Sequence, residues 1–227
     1  MSIASSNNTL LVTCGTDRQS SLGGIELALG HPEIIKAFVG VHPSEARKEG
    51  NLEWVKKALR SATGVGEIGL DPKYSSIGAR SRQMSVFRRL LGRAQDAEKA
   101  VQIHSRGAES ECLETLSQFS LKSVLMHWFE DEERIGEVME RGYWVTFGPA
   151  ITYSKKLQRL AARANHDLVL VETDSPVPYA PLGRVSGPSL VPSVVFKLAE
   201  LWGRGYDEVR ASIAQNSARF LGMTEKG

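Results

Sequence analysis

The chain has 227 residues, 41% of them hydrophobic and 24% charged, with a formal net charge of +2. That length suits one large globular domain over residues 1–227 and a core of good size. The near-balanced charge excludes a strong field over the whole surface, so a nucleic-acid partner would have to use a local patch.

In chain order, short apolar and β-branched runs alternate with helical patterns. Strands are predicted at "TLLVTCG" (9–15), "AFVGVH" (37–42), "TGVGEIG" (63–69), "AVQIH" (100–104), "SVLMHW" (123–128), "YWVTFG" (143–148) and "DLVLVET" (167–173). Between them, "QSSLGGIELAL", "NLEWVKKALRS", "RSRQMSVFRRLLGRAQDAEKA", "ESECLETLSQF", "DEERIGEVMER" and "SKKLQRLAARA" carry helix formers or apolar residues three and four apart. Two helices close the chain, one with Val191, Val194, Val195, Leu198, Leu201 and Trp202 on a common face, the other with Val209, Ile213 and Phe220. Mostly apolar strands alternating with helices argue for a parallel sheet covered by helices. The beat of roughly 30 residues suits a (β/α) barrel, and an open doubly wound sheet stays in play on this evidence. A barrel needs eight strands and seven are recognisable. The stretch "SPVPYAPLGRVSGPSL" (175–190) reads as a long irregular loop after the last strand.

No apolar run reaches the ~18 residues of a membrane span. The start "MSIASSNNTLL" lacks the order of a secretory signal, and Cys14 and Cys112 have no metal-type spacing. A cytoplasmic protein without a membrane partner is expected.

Acids and imidazoles gather where strands end: His42 after "FVGV", Glu67 in "GVGEIG", His104 after "VQI", His127 after "VLM" and Asp174 after "VLVET". Lone histidines usually serve structure, and His31 and His166 are read that way. A buried carboxylate such as Glu67 needs a cation, and one carboxylate with two histidines from separate strands suits a divalent metal. Arg106, directly after "IHS", could receive a phosphate or carboxylate through a guanidinium fork, with Arg184 a weaker candidate. Gly64, Gly66 and Gly69 spell G-x-G-x-x-G, but within a strand, so a dinucleotide site is not expected. Those glycines would instead allow close approach of a ligand or neighbouring backbone.

Taken in order, "GVHP", "VGEIGLD", "QIHSRG", "MHWF", "VETDSP" and "QNSARFLG" resemble the TatD family of metal-dependent hydrolases, from about Val12 to Leu221. The resemblance implies a TIM-type barrel, one or two divalent metal ions and deoxyribonuclease activity on DNA. It makes Glu67, His104, His127 and Asp174 metal ligands, with Asp174 also beside the attacking water, and sets Arg106 and His42 near the substrate. Mixed imidazole and carboxylate ligands favour zinc, manganese or iron over magnesium.

The family's first strand ends in an H-x-H pair, and this chain contains none. "LLVTCGTD" aligns with the family's second strand, so the first βα unit is expected to be missing. The chain would then be either an enzyme read from too late a start or a degenerate relative. A missing strand would expose sheet edges, which direct pairing or a homo-oligomer would cover. Two further readings are a catalytically impaired barrel that binds or scaffolds, and a metal hydrolase of amides, esters or lactones.

Overall fold

Each of the seven predicted runs forms a strand, in the predicted order: β1 (Leu11–Cys14), β2 (Ile35–Val39), β3 (Gly64–Gly69), β4 (Ala100–His104), β5 (Val124–Met126), β6 (Trp144–Phe147) and β7 (Val169–Val171). The computed structural model describes residues 9–48, 50–74 and 79–223. The helices between the strands are α1 (Arg18–Gly30), α2 (Glu53–Ala58), α3 (Ala79–Asp96), α4 (Glu109–Leu116), α5 (Ile135–Glu140) and α6 (Lys155–Arg163). Among the described residues no helix is long and apolar enough to cross a membrane.

The chain forms two compact units, one ending at His127 and one running on from Trp128. In the first unit β1 to β5 pair side by side in chain order, all parallel, with Leu11 opposite Ile35, Phe38 opposite Gly64, Val65 opposite Val101, and Val101 opposite Val124. Parallel pairing requires a crossover after every strand, and α1 to α4 supply them. Sheet residues covered by such helices lose contact with water: Phe38, Val39, Val65, Ile68, Val101, Ile103 and Met126 are fully buried. Each such aliphatic or aromatic side chain contributes roughly 1.5–3 kcal/mol by its burial.

All six residues of β3 are buried. Its glycines permit that crowding, because a Cβ at Gly66 would lie 2.8 Å from the Gln102 Cβ, and one at facing Gly40 2.6 Å from the Gly66 carbonyl carbon. The close neighbour is backbone and side chain of adjoining strands, so the G-x-G-x-x-G spelling serves packing.

In the second unit β6 and β7 pair in parallel, Val145 opposite Val169. Two helices follow, α7 (Val191–Trp202) and α8 (Tyr206–Leu221); Val194, Val195 and Leu198 of the first expected face are buried while Val191, Leu201 and Trp202 are half-buried, and Val209, Ile213 and Phe220 of the second are buried. Asn216, in "QNSARFLG", is buried and donates to the carbonyls of His166 and Val169, tying α8 to the start of β7. His166 stacks on Trp202 at 3.9 Å between ring centroids, which is a packing role. The 175–190 stretch is more ordered than its composition suggests. It folds into the two-stranded hairpin β8 (Pro178–Tyr179) and β9 (Arg184–Val185). Ser175 Oγ donates to the Ser186 carbonyl and Ser186 Oγ to the Thr173 carbonyl, closing the hairpin onto the end of β7.

Candidate metal centre

Parallel neighbours present their C-terminal ends side by side, so a polar residue at each end faces the next. In the first unit this gathers His42 from beyond β2, Glu67 from β3, His104 from the end of β4 and His127 from beyond β5. Glu67 Oε1 is the hub, 2.6 Å from His104 Nδ1, 3.4 Å from His127 Nε2 and 3.9 Å from His42 Nε2. His42 Nε2 and His104 Nδ1 are 3.4 Å apart. One ligand atom each from His42, Glu67 and His104 lie within 4.8 Å of one another. Among the described residues the basic side chains within 4.0 Å of Glu67 are imidazoles, with no Lys or Arg.

Burial alone would raise the Glu67 pKa. His127, then His104 and His42, outweigh it and hold the carboxyl at about 2. His42 moves the other way from expectation for a residue beside a carboxylate: burial pushes it down to about 4, against the pull of Glu67. At neutral pH its ring is uncharged and has a lone pair to give. Its Nδ1 lies 2.8 Å from Ser44 Oγ, which in turn donates to Glu45 Oε1, so an Nε2 directed at the cluster is backed by an ordered second layer. A buried anionic oxygen with imidazole nitrogens at ligand spacing is a donor set that fits a divalent metal. His42, expected near the substrate, stands here within the candidate ligand group.

Sequence reasoning passed over Asp71, four residues after Glu67 in "EIGLD". Its Oδ2 accepts from His104 Nε2 at 2.7 Å and from Arg106 Nε at 2.9 Å and Nη2 at 2.6 Å, while Oδ1 accepts from the Lys73 N–H at 2.8 Å. Burial would raise its pKa, but the donors from His104, Arg106 and Lys73 win and the carboxyl is lowered. Arg106 thus commits one edge to Asp71 and lies 5.4 Å over the Tyr74 ring, leaving about half its side chain exposed. The signal available in the sequence was only a carboxylate immediately after an apolar strand end.

Asp174 and Arg184 belong to the second unit. Asp174 adopts φ +48°, its carbonyl accepts from the Val177 N–H, and it lines a small cavity with Trp128, Tyr153, Thr173 and Tyr179. Arg184 opens β9, and its side chain lies outside the described residues.

A family model described as "TatD related DNase" matches residues 2–222, both units included. The chain belongs to the TatD-related DNase family. TatD-family relatives include the metal-dependent hydrolase YabD of Bacillus subtilis, 27% identical over 222 residues, covering 93% of this chain and 86% of YabD. A zebrafish relative named as a candidate deoxyribonuclease, tatdn3, is 30% identical over 212 residues, covering 87% and 80%. Among solved structures the TatD homologue YjjV of Escherichia coli K12 superposes with a TM-score of 0.87 at 23% identity, over 95% of this chain and 87% of YjjV. A TatD-family hydrolase from Entamoeba histolytica gives 0.78 at 18% identity, over 95% and 84%. These likenesses make the fold that of the TatD homologues, the TIM-type barrel kind expected from the strand-and-helix beat.

Proposed function

We propose that this TatD-family chain hydrolyses phosphodiester bonds, with DNA as its substrate class, using a divalent metal held by Glu67 Oε1, His104 Nδ1 and His42 Nε2, with His127 against the same carboxylate. The observation that carries the reading is the single buried carboxylate oxygen facing three imidazoles from three strand ends. When bound, such a metal polarises a phosphoryl oxygen or makes a bound water more acidic. The rest of the work falls to side chains. Glu67 stays ionised throughout the neutral range and would offset part of a bound ion's positive charge. Arg106 keeps its guanidinium charged and its outer edge open, so it can hold an anionic oxygen of the substrate and counter charge developing there. Asp174, which the resemblance sets beside the attacking water, serves as acceptor of that water's proton. Arg184 is the weaker candidate for the same work as Arg106.

The test is hydrolysis of single- and double-stranded DNA, and of a small phosphodiester, by chelator-stripped protein re-supplied with zinc, manganese or magnesium. Metal-dependent turnover of the phosphodiesters supports the proposal. Metal binding with turnover confined to amides, esters or lactones would replace the substrate class and leave the metal reading standing. Metal binding without any turnover would leave a binding protein. Sedimentation of the same preparation reads whether copies associate, the homo-oligomer expected from an exposed sheet edge.

A further inference from the structure

We propose that Asp71 is the positioning residue of the metal centre: through one carboxylate oxygen it fixes the tautomer of His104 and the orientation of Arg106 together. Oδ2 receives His104 Nε2 and two nitrogens of Arg106, within 2.6–2.9 Å, and the residue is fully buried. Neutral imidazole carries one proton. With that proton on Nε2 and given to Asp71, the Nδ1 lone pair points at the face shared with Glu67 and His42. Without Asp71 the better acceptor within reach is Glu67 Oε1, which lies 2.6 Å from Nδ1. The ring proton would then move to Nδ1, closing the ligand face and occupying the carboxylate oxygen as well. Carboxylates that hold a ligating imidazole in this way typically sustain about 10–100-fold of metal affinity.

The backbone of Asp71 is held as firmly as its side chain. Its N–H donates to Gln83 Oε1 at 3.1 Å, while Gln83 Nε2 donates to the carbonyls of Asp71 at 3.0 Å and Pro43 at 3.3 Å. Gln83 is a buried residue of α3. One amide therefore bolts the segment after β3 to the segment that carries His42, so the carboxylate, the imidazole it orients and the neighbouring imidazole keep a common register. Arg106 shares the anchor, which ties the anion-receiving guanidinium to the ligand that faces the metal.

The proposal rests on the metal reading of the cluster and not on the choice of substrate. Its test is zinc affinity, by competition with a chromophoric chelator, for wild type, Asp71→Ala, Asp71→Asn and Arg106→Ala, with ¹⁵N–¹H spectra of the zinc-loaded histidines. Expected are an Nε2–H on His104 in the wild type, a zinc Kd weaker by about 10–100-fold in Asp71→Ala and by about tenfold in Asp71→Asn, and a Kd within twofold of wild type in Arg106→Ala. Asp71→Asn preserves shape and carries the test if Asp71→Ala does not fold. Zinc affinity unchanged in Asp71→Asn, or an Nδ1–H on zinc-loaded wild-type His104, overturns the proposal. A wild type that takes up no zinc overturns it together with the metal reading, while absence of DNA hydrolysis with these affinities intact overturns only the substrate.

Discussion

Acid should weaken the metal-free protein in two windows, and His42 sets the upper one. Its ring is mostly buried. Burial therefore holds its pKa at about 4, against an ordinary 6.5. The sign follows from proton counts. Between these values the unfolded chain binds a proton that the folded chain does not, so stability falls as pH falls. Integrating one group between pH 7.5 and 5.0 gives a loss of about 2 kcal/mol, approaching about 3.4 kcal/mol below pH 4. Glu67 acts lower down. Its folded value of about 2 lies beneath the ordinary 4.5, so the stability it contributes is complete above 4.5 and is lost as pH falls through 2.

The assay is urea unfolding of chelator-stripped wild type and His42→Asn at pH 7.5, 6.5, 5.5 and 5.0. The substitution costs stability at every pH, so only the slope is read. His166, packed on Trp202 away from the substitution, titrates in both proteins and cancels in the difference. The gap between the two proteins should shrink by about 2 kcal/mol from pH 7.5 to 5.0. Parallel curves would refute the reasoning, because His42 would then carry its proton equally in the folded and unfolded chains.

Two further outcomes test the division of labour. Glu67→Gln replaces an acceptor by an amide that turns a donor toward the imidazoles, so zinc content after dialysis should drop at least tenfold, read by elemental analysis; unchanged content would remove Glu67 from the ligand set. Asp174→Asn should lower phosphodiester turnover by about 10²-fold or more while zinc affinity of the Glu67 cluster changes little, and full turnover in that variant would end its role as proton acceptor.

The strand-and-helix beat was legible because parallel strands buried on both faces are short apolar runs, and helices announce themselves by spacing. Boundaries were less so. The run 167–173 contracts to Val169–Val171 because His166–Leu168 forms a turn of 3₁₀ helix, with Asn165 Oδ1 accepting from the Asp167 N–H. The hairpin inside 175–190 was hidden because serine hydroxyls reaching back to β7 close it, and such contacts leave no period. Glu67, His104 and His127 could be read from strand ends, since parallel pairing makes neighbouring ends adjacent. Asp71 could not. Its weight comes from partners 33 and 35 residues away, and nothing local distinguishes it from a solvated aspartate. Gln83 was equally silent, a polar residue on a basic helix whose burial depends on the two segments it joins.

The sequence contains no H-x-H, yet the first unit assembles one carboxylate and three imidazoles without it. That composition has a consequence for substrate choice. One anionic ligand with neutral imidazoles would leave a bound divalent ion with a net charge of about +1. Asp71 and Arg106 lie beside it as a pair whose charges cancel, so neither removes that excess. A centre with surplus positive charge attracts a phosphodiester anion more than a neutral amide or lactone, and salt should screen that advantage. Comparing kcat/KM for a small phosphodiester and a neutral ester of matched leaving group, at ~20 and ~200 mM salt, measures it. The phosphodiester should lead at low salt and lose severalfold more than the ester at high salt. A neutral ester that leads at both, with no difference in salt response, would show that charge at this centre does not select the substrate.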